Sequence, residues 1–425
     1  MFKNIKEAFK IKEVRKKLLI TFALLLVYRL GCWLPIPGID ITAFGTAATA
    51  NEFLSIISAV SGNALANGAI LALGVAPYIN ASIVIQLLGG AIPALERLAQ
   101  QGDEGRKKIN LYTRILALVL ALGQAIGIVV NIGQGNAFDG SIFGGGWFTA
   151  AMVVVVMVAG AMFTVWIGER ITEIGVGNGL SLLIFVGIIA TAGQAIFDSI
   201  VGLADNIDNI WNLLLFLVAV IVIFGLIAWV DLAERKVTVQ YAKQIKGRKM
   251  YGGQATSFPI KINAQGVMPI ILAMTILSFP QLIMSMFWPN TAYPDFLAMG
   301  GWLYTVLTAI LIFFFSYFMA QLTFKPEEIA RQMQQNGGFI NGIRPGKATS
   351  DHLRKISNRL TFFGAIFLAL ISLVPTLIFG YIGGGSALVS AFSATGLLIV
   401  VSCALEFDKQ LESQLLMRSY KGFLK

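Results

Sequence analysis

The sequence predicts an all-α membrane protein of ten transmembrane helices in two inverted five-helix halves, and three observations predict it. First, 56 % of the 425 residues are hydrophobic and only 13 % are charged, with a mean hydropathy of +0.76. A soluble domain of this size cannot keep so much apolar surface from water, so lipid must solvate most of it. Second, 31 of the 32 Lys and Arg residues fall in alternate hydrophilic connections: 1–17, 92–114, 167–178, 230–266, 322–361 and 405–425. The connections between them hold only acids, namely Asp40, Glu52, Asp139, Asp198, Asp205, Asp208 and Asp295. This is the positive-inside pattern of a polytopic membrane protein. Third, ten apolar stretches approach the roughly 20 residues that a spanning helix needs. They lie at about 18–34, 70–91, 113–131, 147–167, 179–197, 209–230, 266–288, 301–323, 361–381 and 386–405. The strand alternation of a barrel is absent, so the spans are helices that satisfy their backbone groups internally.

Taken in order, the basic stretch 1–17 leads into span one, which runs to Pro35-Ile36-Pro37-Gly38 without a small-residue cleavage motif. It is read as a retained helix. Arg29 is the one basic residue inside an apolar run. It stands near the outer end of its helix, as an anchor that snorkels or pairs locally, or in a functional role. The outer segment 53–70 reads FLSIISAVSGNALANGAI. It is too short to span and too apolar for a free loop. Either it is re-entrant, which is tolerated where backbone is buried in protein or lines a cavity, or it is a helix lying in the interface. Five spans per half give the second half the opposite orientation, as in inverted repeats. The division falls near residue 200, into halves 1–200 and 201–425. Ten spans return the C-terminus to the basic, cytoplasmic side of the N-terminus.

Two cytoplasmic loops are longer than a turn needs. In 231–265, Val237, Val239 and Tyr241 alternate with Thr238 and Gln240, a strand pattern. Lys246-Gly247-Arg248 supplies a turn, and a second extended run follows, so a basic β-hairpin is expected. In 324–360, Pro326 to Gln335 reads as a helix with Glu327 and Glu328 in its first turn, where they suit the dipole. Gly337-Gly338 and Arg344-Pro345-Gly346 mark turns. The basic side carries a net +16 and the outer side −7, an excess beyond what orientation requires.

Several classes of chemistry find no support. Apart from Arg29, the span interiors carry no ionisable residue, although ion-coupled carriers place them there for use. An inverted-repeat secondary transporter of small solutes is therefore the alternative reading only. The motif at 175–179, Gly-Val-Gly-Asn-Gly, lacks the strand and spacing of a phosphate loop and is expected to be a tight turn at a helix entry. Cys32 and Cys403 lie on different helices, and with one His in the chain neither a disulfide nor a metal site is expected. No catalytic residue and no cofactor is assigned, and the chain is not expected to be an enzyme.

Long motifs carry a resemblance. PIPGID at 35–40, LALGVAPYINASIVIQLL at 71–88, GERITEIGVGNGLSLLIF at 168–185, AQGVMPIILA at 264–273 and FKPEEIARQMQQNGGFINGIRPG at 324–346 stand in one order along nearly the whole chain. With them the sequence resembles the bacterial SecY family, the channel subunit of the general protein translocase. Departures are small: Val75-Ala76 precedes the Pro-Tyr-Ile of span two, and Leu180 stands where Ile is frequent.

The resemblance implies a pore between the halves, a plug within 53–70, and a channel in the bacterial plasma membrane. Unfolded secretory chains would cross it, and transmembrane segments would leave sideways into the lipid bilayer. It implies a pore ring of Ile79, Ile83, Leu180, Ile184, Ile271 and Ile399. The i,i+4 spacing of two pairs independently places Ile79 with Ile83, and Leu180 with Ile184, on shared helix faces. A lateral gate would lie between spans two and three and spans seven and eight, with Asn80, Gln86 and Thr275 as polar groups that tune it or simply join helices. The basic loops resemble a docking site, with Arg235, Lys246, Arg248 and Arg344 as candidates, unless those charges only set topology. The implied partners are small membrane subunits of the SecE and SecG type, the SecA motor ATPase, the ribosome, signal sequences and nascent polypeptides.

Overall fold

The computed structural model describes residues 2–50, 58, 61–133, 146–202, 210–241, 244–246, 249–251, 255–263, 266–287, 302–382 and 394–422. Arg248 and most of 51–60 lie outside them, and of Lys246 only the backbone is described.

A short amphipathic helix α1 (Phe2–Lys10) precedes α2 (Lys12–Gly31), and α3 (Ile41–Ala50) follows. Then come α4 (Ala76–Ala91), the short α5 (Pro93–Gln100), α6 (Asp103–Gly133), α7 (Gly146–Ile174), α8 (Gly179–Gly202) and α9 (Ile210–Leu232). The strands of the 231–265 loop are β1 (Glu234–Tyr241), β2 (Gln244–Lys246), β3 (Lys249–Tyr251) and β4 (Ala255–Lys261). The chain ends with α10 (Met268–Phe287), α11 (Trp302–Thr323), α12 (Pro326–Gln335), β5 (Gly338–Ile340), α13 (Lys347–Ile382) and α14 (Ala394–Gly422).

A helix coincides with each apolar stretch. Among the described residues, six helices are long and apolar enough to cross a membrane by that measure alone. Span two differs from expectation. Residues 70–75 are turns, and the helix begins only at Ala76. Gly74 takes φ +54, a conformation glycine adopts without strain, and Pro77 in the first helical turn lacks the N–H that position leaves unused anyway. Spans three, nine and ten run well beyond their apolar stretches as α6, α13 and α14, because no proline or turn sequence interrupts their basic ends.

The helices α2, α4, α6, α7 and α8 pack on one another, and α9, α10, α11, α13 and α14 form a second group. The two groups touch where α8 meets α14 and where α4 and α6 meet α10. Small residues allow close approach where hydrocarbon solvent supplies no hydrophobic drive. Ala121 and Ala125 of α6 and Ala161 of α7 lie in one buried cluster with Phe44, Leu65 and Leu73. The outward faces are apolar as well: on α9, Leu214, Val218, Ile221, Val222 and Trp229 are all exposed, as lipid contact requires.

Segment 61–75 lies inside this first group rather than on its surface. Ala64, Leu65, Ala69, Ala72 and Leu73 are fully buried. Its middle is pinned to the 34–36 stretch by Ile36 N–H to Gly68 O and Ile70 N–H to Leu34 O, both 2.9 Å. The described residues of this segment are thus buried in protein, as a re-entrant segment requires, and 61–75 is built of turns rather than the expected helix. The α7 backbone runs so close that a Cβ at Gly160 would overlap the Ile70 carbonyl. Gly160→Val is expected to cost about 2 kcal/mol by overpacking, seen as a lower melting temperature in detergent. Gly123→Ala, where a Cβ meets nothing within 4 Å, is the matched control and should leave it unchanged.

The two long basic loops form one body. β1 pairs antiparallel with β4, and β2 with β3, making the expected hairpin. The second loop adds β5 to the other edge of β1, in the order β4-β1-β5. Val237 and Val239 turn inward onto Ile260, Met333, Ile340 and Leu353, while Thr238 is exposed. The alternation expected from the sequence is thus half core and half solvent.

Candidate functional site

Four helices, two from each group, send aliphatic side chains to one place. Ile184 of α8 and Ile399 of α14 are 8 % exposed and share a buried cluster. Ile79 of α4, Leu180 of α8 and Ile271 of α10 pack against it. Ile83, 2 % exposed, belongs to the adjoining cluster, which Ile79 and Ile271 also join. Ala64, Ala69, Leu71 and Val75 lie in the first cluster, so residues of segment 61–75 and these aliphatic side chains belong to one buried body.

Local sequence explains the placement. The 175–179 motif is a tight turn, with Gly177 at φ +93. Gly179 N–H donates to Thr172 Oγ1 at 2.9 Å, and Leu180 N–H to Asn178 Oδ1 at 3.2 Å, satisfying free donors at the start of α8. A Cβ at Gly179 would overlap the Gly168 carbonyl. The turn thus holds α8 tight on α7, with Leu180 and Ile184 one turn apart on the same face. Ile271 lies in the first turn of α10, whose entry is set by Ile271 N–H to Val267 O at 3.2 Å. Such a ring presents only hydrocarbon. It offers water and ions no hydrogen bond, and it has no polar group that would recognise one peptide sequence over another.

Above the ring, Arg29 Nη1 donates to the Gly62 carbonyl at 2.7 Å. Asn63 Nδ2 donates to Gln194 Oε1 of α8 at 3.1 Å. Beside the ring, Thr275 Oγ1 donates to Asn80 Oδ1 at 3.1 Å, bridging α10 and α4. Gln86 is exposed on α4. It stands six residues beyond Asn80, about 240° around the helix at ~100° per residue, so the structure does not bring it to that pair.

On the body formed by the two basic loops, Arg235 of β1 and Arg344 are both exposed. The Arg344-Pro345-Gly346 turn is fixed by Thr349 Oγ1 donating to the Arg344 carbonyl at 2.9 Å, with Gly342 and Gly346 at positive φ.

Sequence reasoning missed a polar junction at the root of this body. Asp231, at the end of α9, accepts from Asn263 Nδ2 at 3.0 Å and from Ser402 Oγ of α14 at 2.8 Å. It ties the hairpin exit to the helix that carries Ile399, one turn away. An acid just past an apolar run signals only a membrane boundary; its partners, 32 and 171 residues away, leave no local trace. Among the described residues no group of His, Cys, Asp and Glu could hold a metal ion.

The family model for SecY matches residues 69–407. The chain is 39 % identical to protein translocase subunit SecY of Thermotoga maritima, covering 100 % of this chain and 98 % of that one. It is 41 % identical to the Thermus thermophilus subunit of the same name, with 100 % and 98 % covered. Among solved structures, one described as "The structure of a protein conducting channel" superposes with a TM-score of 0.65 at 20 % identity, covering 93 % of this chain and 91 % of that one. Canine Sec61 in a ribosome-channel complex superposes with a TM-score of 0.60 at 18 % identity, with the same coverage. With a family model that matches residues 69–407 and full-length similarity to these subunits, the chain belongs to the SecY family.

Proposed function

We propose that the ring of Ile79, Ile83, Leu180, Ile184, Ile271 and Ile399 is the constriction of a protein-conducting channel, and that the re-entrant segment is its plug. The observation that carries this reading is the convergence of aliphatic residues from two helix groups onto one cluster, capped by a buried segment that no span needs. Residues 1–200 and 201–425 are the two halves, hinged where α8 meets α14. The seam of α4 and α6 against α10 is the lateral gate through which apolar segments reach lipid. Asn80 and Thr275 close it with one hydrogen bond, worth about 0.6–2 kcal/mol between membrane helices, small enough to break when a signal sequence intercalates. Gln86 borders the seam from the exposed side of α4.

The chain contains no P-loop, so it is a conduit and the work comes from a partner, a motor ATPase of the SecA type or a translating ribosome. Arg235, Lys246, Arg248 and Arg344 are the docking charges, and both termini share their cytoplasmic side of the bacterial plasma membrane. Solved relatives in ribosome complexes support the ribosome as a partner. Small subunits of the SecE and SecG type are the expected membrane neighbours.

A stalled secretory chain should crosslink to cysteines placed at Ile83, Ile184 and Ile271. Crosslinks confined to lipid-facing controls at Ile221 and Val222, both more than half exposed, would overturn the assignment.

A further inference from the structure

Arg29 is the one basic residue within the apolar runs, and the structure gives it a task that neither topology nor anchoring explains. An anchor at the outer end of α2 would turn to the interface. Arg29 turns inward instead, donating to the Gly62 carbonyl while its guanidinium lies 5.5 Å from the Trp33 ring. Gly62 is wedged in place. At φ +73, a Cβ there would come within 2.7 Å of Arg29 Nη1 and 3.2 Å of the Gly187 Cα of α8. Asn63, the one non-glycine residue with positive φ among those described, continues the turn and bonds Gln194. Ser61, only 2 % exposed, offers its carbonyl to Cys32 Sγ at 3.7 Å. Residues 61–63 are thus tied to the α2 end and to α8 by side-chain contacts, whereas 64–75 is held by apolar burial and by the two backbone hydrogen bonds to the 34–36 stretch.

We propose that Arg29 is a positioning residue of the channel seal, a latch that holds 61–63 against α2 and α8 and lets go when a chain enters. This rests on reading the re-entrant segment as the plug. A cation suits the role because both of its states are satisfied. Latched, it makes a charge-assisted hydrogen bond in a low-dielectric setting. Released, its long side chain reaches the outer interface, one turn away, without leaving a buried charge unpaired, and Trp33 keeps it near by a cation–π contact. Apolar burial alone would hold the segment without a discrete contact to break.

The test uses full-length protein in proteoliposomes with Cys32 and Cys403 replaced by alanine and a single reporter, Ser61→Cys. The readout is the labelling rate with a membrane-impermeant maleimide applied from the outer side. With Arg29 present the reporter should be protected. Arg29→Met should raise its labelling rate at least tenfold, while a reporter at Thr164→Cys, buried in α7, stays protected. Arg29→Gln, which keeps a donor but loses the charge, should fall between and serves if Arg29→Met does not accumulate. Unchanged labelling at Ser61→Cys in whichever variant folds overturns the latch. A parallel rise at both reporters also overturns it, since Arg29 would then be a general packing residue. Ion leak is measured on the same vesicles. Labelling that rises without leak leaves the latch standing and removes the plug reading beneath it.

Discussion

Replacing Ile184 and Ile399 together with serine should raise the resting ion flux of the reconstituted channel at least tenfold. The two side chains come from α8 and α14, one from each helix group, and each is 8 % exposed. An apolar ring excludes ions because entering water finds no hydrogen bond. Two hydroxyls, one from each helix group, supply such bonds and reduce the aliphatic volume there. A tenfold change needs the barrier to fall by only ~1.4 kcal/mol, less than the roughly 1.5–3 kcal/mol that separates a buried from a hydrated aliphatic side chain. Because Ala64, Ala69 and Leu71 rest on the same cluster, wetting the ring also loosens the seat of the re-entrant segment. Ile184→Val with Ile399→Val keeps the ring dry at nearly the same volume and should leave flux at the wild-type level. Wild-type flux in the serine pair would mean that the barrier lies elsewhere.

Arg344→Glu should lower motor-driven export at least tenfold while the channel still inserts and melts normally. The fold gives this substitution an unusually clean readout. The turn is held by the Arg344 carbonyl, not its side chain, through Thr349 Oγ1, and by the glycines on either side. The exposed guanidinium is therefore free to change sign without unfolding the loop. Reversal converts an attraction to an acidic partner into a repulsion. Near a protein surface one unit pair at 4 Å is worth about 4 kcal/mol, so even a screened fraction exceeds a decade in rate. Preprotein uptake into inverted vesicles is the assay, repeated across a salt series. The wild-type rate should fall steeply with salt, and the variant should fall less because it has a contact fewer to screen. Export at the wild-type rate would return Arg344 to a purely topological role.

Much of the architecture was legible because lipid imposes a local rule. Each spanning residue must suit hydrocarbon, so ten apolar runs and alternating basic connections stand out one residue at a time. The turns at 175–179 and at Arg344-Pro345-Gly346, the alternation of Val237 and Val239, and the helix Pro326–Gln335 were legible for the same reason: each depends on residues within one turn of itself. Three features were not legible. The strand β5 is three residues long, too short for any period, and its pairing with β1 joins loops nearly 100 residues apart. Gly62 lies 33 residues from Arg29, and a carbonyl partner has no side-chain signature. The late start of α4 at Ala76 was masked because residues 70–75 are as apolar as the helix they precede.

The amino-acid sequence by itself determined which segments enter the bilayer, which side is basic, and the hydrocarbon character of the span interiors, since solvation acts on each residue separately. Only the tertiary structure decided which isoleucines share a buried cluster, that the 61–75 segment is buried with them, that both basic loops share one sheet, and that Arg29 bonds the Gly62 carbonyl. Those are contacts between distant parts of the chain. In lipid, where every span is apolar on all sides, hydrophobicity cannot say which face meets protein; close packing and a few hydrogen bonds do.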